Sequence, residues 1–342
     1  MQLFKCTHCH QPIYFENIFC GNCGSTLGFL TDSMQPIAFD PGFLYQYCAN
    51  YSHHTCNWLV AEVNSSAFCK ACELNRTIPD LSNHDYRTRW EKLETAKHRL
   101  VYSLLRMKLP LISKAMDDER GLAFDFVADV SSDPKKKILT GYHLGLVTIN
   151  IAEADDIERE FARRSMHEVY RTLLGHFRHE IGHYYWERLI DGTNNINSFR
   201  QLFGDERADY KESLKNYYAS GPPANWNENY ISAYSSSHPW EDWAESWAHY
   251  MHIIDTLETA YSYGLSVDPL ISDSLKDLKV DIKTDPYHIN DFETIIRYWL
   301  PLTFAMNSLS RSMGLNDIYP FVITNPAKEK MSFIHEIIQA QS

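Results

Sequence analysis

Apolar residues recur at every third or fourth position after Pro79 and Asn83, which is the spacing of one face of an α-helix. We expect this helix to join a small N-terminal module to a second domain. The apolar residues of its face are Trp90, Leu93, Leu100, Val101, Leu104 and Leu105.

Two later segments show strand patterns. Apolar and polar residues alternate over residues 121–128, and residues 145–151 are rich in β-branched side chains. Helical patterns follow, and one of them ends at Gly221-Pro222-Pro223. The predicted helices cover residues 153–174, 176–190, 205–218 and 239–263. A few strands followed mostly by helices predict an α+β second domain.

All eight cysteines lie in the first 72 residues, where turns are frequent and apolar runs are short. Three Cys-x-x-Cys pairs without a preceding signal region indicate metal-binding knuckles rather than disulfides. Two thiolates from one tight turn occupy two corners of a tetrahedron, and a second pair closes it. Such a module should depend on metal for its fold. We therefore predict a zinc-ribbon module over residues 1–75, a linking helix over 76–110 and a second domain over 111–342.

The cysteines form two candidate zinc sites, so up to two structural zinc ions are expected. The first site is Cys6, Cys9, Cys20 and Cys23, with Gly21 and Gly24 in its second knuckle. The second site is Cys48, Cys56, Cys69 and Cys72, in which the gap from Cys48 to Cys56 is wider than a knuckle. Pairing across the two groups is an alternative, and the nearby histidines could replace a thiolate. These histidines are His8, His10, His53 and His54.

The helical segment 176–190 contains His179-Glu180-x-x-His183. Residues four apart on an α-helix share a face and lie about 6 Å apart along the axis. The two imidazoles could therefore bind one Zn²⁺, with Glu180 placed beside the metal to take a proton from a bound water. A catalytic zinc also needs a third protein ligand and an open position.

The third ligand is expected at the start of the helix that follows His238. Pro239 suits a first helical turn, and Glu241 then lies just inside the helix with Glu245 one turn later on the same face. One carboxylate can bind the metal while the other accepts the second ring N–H of a ligand histidine. Glu241 is accordingly predicted as the metal ligand, and Glu245 as the carboxylate that accepts the hydrogen bond from a ligand histidine. Asp242 points about 100° away and is expected to be a surface or helix-start charge.

Other acidic and histidine side chains compete for the role of third ligand. His249 lies two turns beyond Glu241, and His176 lies near the face of His179. A further acidic group is explained more simply as a charged helix start. Its members are Asp205, Glu206 and Asp209.

These residues carry a resemblance. His179-Glu180-x-x-His183 with a distant Glu241 is similar to the gluzincin class, and the stretch from Tyr234 to Glu245 is similar to the catalytic segment of anthrax lethal factor. Most of the chain resembles the bacterial zinc-binding metallopeptidases that carry an N-terminal zinc ribbon. The strings that carry this likeness are Cys48-Ala-Asn, Cys56-Asn-Trp-Leu-Val, Leu74-Asn-Arg-Thr-Ile-Pro-Asp, Gly175-His-Phe-Arg-His-Glu-Ile-Gly-His-Tyr-Tyr-Trp and His238-Pro-Trp-Glu-Asp-Trp-Ala-Glu.

The resemblance implies a zincin-like domain over 111–342 that hydrolyses a protein or peptide substrate. Its water would be activated by zinc, with Glu180 as general base. The resemblance also implies that Tyr234 donates to the oxyanion, and that the strand Leu146–Ile151 is an edge strand that holds an extended peptide. An interior strand is the alternative. A Glu at position 245, where gluzincins commonly have Asp, lengthens the reach of that side chain.

Composition narrows the partners. A formal charge of -12 and an acidic cysteine-rich module argue against nucleic acid and favour a structural or protein-binding ribbon. The basic run at residues 135–137 predicts only a solvated turn. With no long apolar run and no signal region, a cytoplasmic protein without a membrane span is expected. Two other functions remain open, namely a ribbon-bearing adaptor with a vestigial peptidase domain and a zinc hydrolase of non-peptide amides.

Overall fold

The computed structural model describes residues 2–39, 44–63, 66–129, 138–165, 172–270 and 278–341, without the side chains of residues 161–165. The predicted turn at residues 135–137 lies outside them. The chain divides into two compact units, one of Met1–Arg106 with Pro110–Phe177 and one of Met107–Leu109 with Arg178–Ser342. The predicted domain boundaries near residues 75 and 110 stay a prediction.

The cysteine-rich part of the first unit is built from three antiparallel strand pairs. They are β1 (Phe4–Lys5) with β2 (Pro12–Ile13), β3 (Leu27–Leu30) with β4 (Gln35–Ala38), and β5 (Tyr45–Tyr47) with β6 (Leu59–Ala61). Phe29 and Trp58 are fully buried between them, with ring centres 4.8 Å apart.

The long helix α1 (His84–Arg106) completes this small apolar core. Its Tyr102 is fully buried, and the ring lies 5.2 Å from Phe15 and 6.0 Å from Phe29. The predicted apolar face of α1 is therefore present, and it supplies apolar area that the short ribbon strands lack. A polar group on the same helix is also buried, because Lys97 Nζ lies 2.7 Å from Glu94 Oε1 and both side chains are shielded from solvent.

The first unit also contains a four-stranded sheet in the order β7-β8-β10-β9. Its strands are β7 (Asn75–Thr77), β8 (Ala123–Val127), β9 (Gly141–His143) and β10 (Leu146–Asn150). Strand β10 pairs in parallel with β8 on one side and antiparallel with β9 on the other. The prediction that Leu146–Ile151 forms an edge strand is therefore wrong, and the interior alternative holds.

Helices dominate the rest of the described residues, which confirms the α+β fold. Helix α2 (Asp156–Ser165) belongs to the first unit, and α3 (Leu173–Leu189) runs from the first unit into the second. The helices that follow are α4 (Ile196–Phe203), α5 (Tyr210–Ser220), α6 (Trp226–Asn229), α7 (Pro239–Ser262), α8 (Phe292–Ser312) and α9 (Asn325–Gln339). A short antiparallel pair, β11 (Ser266–Val267) with β12 (Val280–Asp281), lies between α7 and α8. No helix formed by the described residues combines the length and the apolar character needed to cross a membrane.

Helices α3 and α7 approach closely at Gly182. A Cβ atom placed there would lie 2.9 Å from Ala244 Cα and 3.2 Å from Trp247 Cβ. The indole N–H of Trp243 donates to the Gly182 carbonyl at 2.9 Å, and Tyr185 stacks on Trp247 with ring centres 5.0 Å apart. This contact brings the histidine-bearing face of α3 against the first turns of α7.

Of the two roles predicted for Asp242, a surface charge is wrong and a helix-start charge holds. Asp242 lies in the first turn of α7 but is only 1% exposed, and its Oδ2 is 2.6 Å from Lys330 Nζ on α9. Lys330 also donates to the Asn229 carbonyl at 2.8 Å and lies over the Tyr230 ring. Burial raises the pKa of Asp242, and Lys330 opposes that rise by stabilising the charged form. The pair therefore fixes the start of α7 against α9.

We expect Lys330→Met to lower the free energy of unfolding by about 3 kcal/mol at pH 8, because it leaves a buried carboxylate without its partner. The loss should shrink at pH 6, where the carboxyl group can take up a proton. Urea unfolding followed by tryptophan fluorescence measures both values. Lys328→Met is the matched control, since Lys328 forms a partly exposed pair with Glu293 at 3.0 Å and should change stability by less than about 1 kcal/mol. Equal losses in the two variants would contradict this account.

Candidate active site

Helix α3 places the two histidines on one face. The ring centres of His179 and His183 lie 5.0 Å apart with their planes nearly perpendicular. Glu180 follows His179 on the same helix and is 5% exposed. The predicted i, i+4 geometry is therefore present, with a carboxylate next to it.

The start of α7 is fixed by its own cap. His238 Nδ1 accepts a hydrogen bond from the Trp240 amide at 3.1 Å, and Pro239 occupies the first turn. His238 Nε2 lies 3.1 Å from the Ala208 carbonyl, so this nitrogen carries the proton and donates. Burial lowers the pKa of His238, which keeps the ring neutral and suited to this cap. Glu241 is thereby held in the first turn of the helix.

Glu241 meets the two histidines. Its Oε2 lies 3.1 Å from His179 Nε2 and 3.7 Å from His183 Nε2, and the three donor atoms all lie within 4.8 Å of one another. Glu241 is 1% exposed, and its Oε2 makes no hydrogen bond within the described part of the chain. A buried carboxylate oxygen without a hydrogen bond is costly unless a cation accompanies it, and the cation here is either a protonated imidazole or a metal ion. Two imidazole nitrogens and one carboxylate oxygen are a donor set that suits Zn²⁺.

Glu245 orients His179. Its Oε1 lies 2.7 Å from His179 Nδ1, and its Oε2 accepts a hydrogen bond from Ser232 Oγ at 2.7 Å. A proton on Nδ1 leaves the Nε2 lone pair directed at Glu241 Oε2. Burial by itself would lower the pKa of His179, but Glu241 and Glu245 raise it well above the usual value. The two carboxylates therefore favour a positive charge at the His179 ring.

Two tyrosines flank the cluster. Tyr234 begins a short 3₁₀ turn (Tyr234–Ser237), and its ring centre lies 6.0 Å from that of His179. The hydroxyl of Tyr210, at the start of α5, donates a hydrogen bond to Glu241 Oε1 at 2.7 Å. Burial, together with the charge of Glu241, raises the pKa of both phenols, so both are protonated donors at neutral pH.

The competing ligands lie elsewhere. His249 Nδ1 is 2.8 Å from the Tyr319 hydroxyl, and His176 Nδ1 is 2.6 Å from Glu153 Oε2. The acidic group before α5 is not helical, contrary to the prediction of a helix from residue 205. Asp205 pairs with Arg207, Glu206 with Arg200, and Asp209 caps α5 by accepting from the Glu212 amide. None of these residues belongs to a metal-ligating group that includes His179 among the described residues.

His249 should make stability depend on pH. It is 5% exposed, and burial lowers its pKa to about 4, below the value near 6.5 expected in the unfolded chain. Between these two values the unfolded chain binds more protons than the folded chain. The free energy of unfolding should therefore fall as the pH drops from 6.5 towards 4, by about 3 kcal/mol when the change is complete.

Urea unfolding at a series of pH values, in wild type and in His249→Asn, measures this contribution. His179 acts in the opposite direction in metal-free protein, but it is present in both chains, so the difference between their curves reports the removal of His249. The variant should show the shallower dependence on pH. His288→Asn, which changes an exposed histidine, should follow wild type. A variant curve parallel to that of wild type would remove His249 from the explanation.

The cysteines assemble in the two predicted groups rather than across them. In the first group Cys6 Sγ lies 3.8 Å from Cys23 Sγ, and Cys9 Sγ lies 3.6 Å from Cys20 Sγ. Two thiolates on one tetrahedral zinc are about 3.8 Å apart, given a Zn–S bond of about 2.3 Å. The four nearby histidines are in neither group as far as the described residues extend.

The second group, Cys48, Cys56, Cys69 and Cys72, is wholly buried. Cys56 Sγ lies 3.7 Å from Cys69 Sγ. Burial raises the pKa of Cys56 well above its usual value, whereas hydrogen bonds from the other three thiols lower that of Cys48. A cation is therefore needed to hold Cys56 as a thiolate. Helix α1 contributes neighbours, because His98 Nε2 lies 3.7 Å and Glu94 Oε2 3.9 Å from Cys72 Sγ. The sequence patterns did not mark either neighbour.

Comparisons with known proteins agree with a cysteine-rich module that is followed by a part carrying the histidine cluster. A family profile described as "Putative zinc-binding metallo-peptidase" matches residues 86–337, and a zinc-ribbon domain profile matches residues 3–83. Proteins of Mycobacterium bovis and Mycobacterium tuberculosis, each named as an uncharacterized protein, are 40% identical over 339 residues. The alignment covers 99% of this chain and 95% of each relative. No solved structure gives a significant match.

Proposed function

Because the chain belongs to the zinc-binding metallopeptidase family, we propose that it is a zinc-dependent peptidase whose catalytic zinc is held by His179, His183 and Glu241. The observation that carries the proposal is the buried Glu241 Oε2, which faces two imidazole nitrogens at 3.1 and 3.7 Å and makes no hydrogen bond within the described residues. Three protein ligands leave one position for a reacting group, which is the arrangement of a catalytic site rather than a closed structural one.

Zinc held by these three residues would supply Lewis acidity, which would lower the pKa of a water and polarise a carbonyl. Glu180 accepts the proton from the attacking water and passes it to the nitrogen that leaves the cleaved peptide bond. The hydroxyl of Tyr234 donates a hydrogen bond to the oxygen that becomes negative in the transition state. Glu245, held by Ser232, keeps the His179 ring in the tautomer that binds metal.

The ribbon would hold two further zinc ions, one in each group of four cysteines, so that the whole chain binds three. These closed thiolate sites have no position for a substrate, and their role is to fold the ribbon. We also propose, as a secondary role, that a surface of the ribbon binds a partner protein.

Glu180 favours catalysis over an adaptor with a vestigial peptidase domain. A zinc site with a purely structural role needs no general base, yet Glu180 lies directly beside the ligand His179 on the same helix. Hydrolysis of a non-peptide amide uses the same groups, so substrate profiling has to separate it from peptide hydrolysis.

A peptide library incubated with the full-length protein tests the proposal, with new termini identified by mass spectrometry. We expect cleavage that stops when a chelator removes the exchangeable zinc and returns when one equivalent of zinc is added. Cleavage that persists in the chelator, with the metal confirmed absent, would refute a zinc mechanism. Turnover of small amides with no peptide cleaved would favour the non-peptide hydrolase.

A further inference from the structure

We propose that Tyr210 is a positioning residue that restricts Glu241 to one metal-binding oxygen and so keeps a coordination position open. This inference rests on the zinc site of the proposed function. A carboxylate can bind a metal through one oxygen or through both. If Glu241 bound through both, its second oxygen would occupy the position that the reacting groups need.

A direct contact between Tyr210 and Glu241 opposes binding through both oxygens. The Tyr210 hydroxyl donates to Glu241 Oε1 at 2.7 Å, while Oε2 of the same carboxylate faces His179 and His183. The two oxygens therefore have separate partners, and rotation of the carboxylate towards the histidines would break a hydrogen bond to a charged acceptor. Such bonds contribute more than those between neutral groups.

Tyr210 itself is held from two sides. Its ring packs edge-on against His238 with centres 5.1 Å apart, and it lies 5.7 Å from the ring of Trp240. The chain just before it is tied down as well, because His238 donates to the Ala208 carbonyl and Asp209 caps α5. His238 is also the cap of α7, so one imidazole couples the position of Tyr210 to the helix that carries Glu241.

Tyr210→Phe removes the hydroxyl and keeps the ring packing, so the fold should survive. Tyr261→Phe is the matched control, since Tyr261 lies near the far end of α7 and is partly exposed. Full-length proteins with zinc retained in the ribbon are stripped of exchangeable zinc and given one equivalent of Co²⁺. The spectrum of His183→Ala treated in the same way is subtracted, which isolates Co²⁺ at the histidine cluster.

We expect Tyr210→Phe to bind as much Co²⁺ as wild type but to show weaker visible absorption, because absorption falls when the coordination number of Co²⁺ rises above four. Tyr261→Phe should match wild type. Peptide cleavage by the zinc form of Tyr210→Phe should fall about 10- to 100-fold. A Tyr210→Phe spectrum identical to that of wild type would overturn the proposal. So would loss of metal from a variant with an unchanged circular dichroism spectrum, because the hydroxyl would then be needed for binding itself.

These outcomes are separate from the test of the proposed function. If the wild-type protein binds Co²⁺ at the cluster but cleaves no peptide, the peptidase assignment fails. The spectra of Tyr210→Phe and wild type still decide whether the phenol limits the coordination of Glu241.

Discussion

Glu180→Gln should lower peptide cleavage by on the order of 100- to 10,000-fold while leaving the fold and the zinc content unchanged. Glutamine has the size and shape of glutamate but cannot accept a proton from the attacking water. Glu180 is 5% exposed and is not one of the three side chains that converge on the metal position, so its replacement should not release zinc. Initial rates on a cleaved library peptide, together with metal analysis of the same sample, measure both quantities.

Glu329→Gln provides the control for this experiment. Glu329 is an exposed residue of α9, and its change to glutamine alters net charge by the same amount. It should leave cleavage at the wild-type rate. If Glu180→Gln also cleaves at that rate, Glu180 is not the general base, and the proposed proton transfer must be abandoned.

Two substitutions should remove zinc from different parts of the chain. Wild type should bind three zinc ions per chain, and His183→Ala should bind two, with the ribbon intact and cleavage abolished. Cys72→Ser should also lose one ion, but from the buried group that includes Cys48, Cys56 and Cys69. Because binding of a structural zinc is worth about 10–16 kcal/mol of folding free energy, the part of the ribbon around this group should unfold, while the first group of cysteines keeps its ion.

Elemental analysis counts the metal, and limited proteolysis locates the damage. Cleavage by an added protease should appear within residues 2–83 in Cys72→Ser, and the same segment should stay resistant in His183→Ala. A full complement of zinc in His183→Ala would contradict the ligand assignment. A resistant ribbon in Cys72→Ser would show that three thiolates suffice.

Local rules explain why much of the candidate site could be predicted from the sequence. The spacing of His179 and His183 places them on one helical face wherever that helix lies, and Pro239 locates Glu241 in a first turn. The cysteine knuckles are likewise local. In each case the motif is defined by residues that lie close together in the sequence.

The features that were missed depend on contacts between distant residues. Ser232 and Tyr210 are brought to Glu245 and Glu241 by tertiary packing, and no spacing rule distinguishes Tyr210 among 21 tyrosines. Asp242 is buried because Lys330 reaches it from α9.

Strand order and helix starts show the same limitation. The pattern of β10 gave no sign that β9 pairs with its second edge, because the order of strands in a sheet is not a local property. The helix predicted from residue 205 begins only at Tyr210, since Asp209 uses its side chain to cap the helix.

The His-Glu-x-x-His signature leaves two central positions unspecified, yet the second of them, Gly182, has room for hydrogen alone against Ala244. A variant with alanine there would satisfy a search for the signature and retain every proposed ligand. Its two helices would nevertheless be wedged apart, and the carboxylate on one would no longer reach the rings on the other. In this chain the ability to gather a metal thus depends partly on a residue that has no functional group at all.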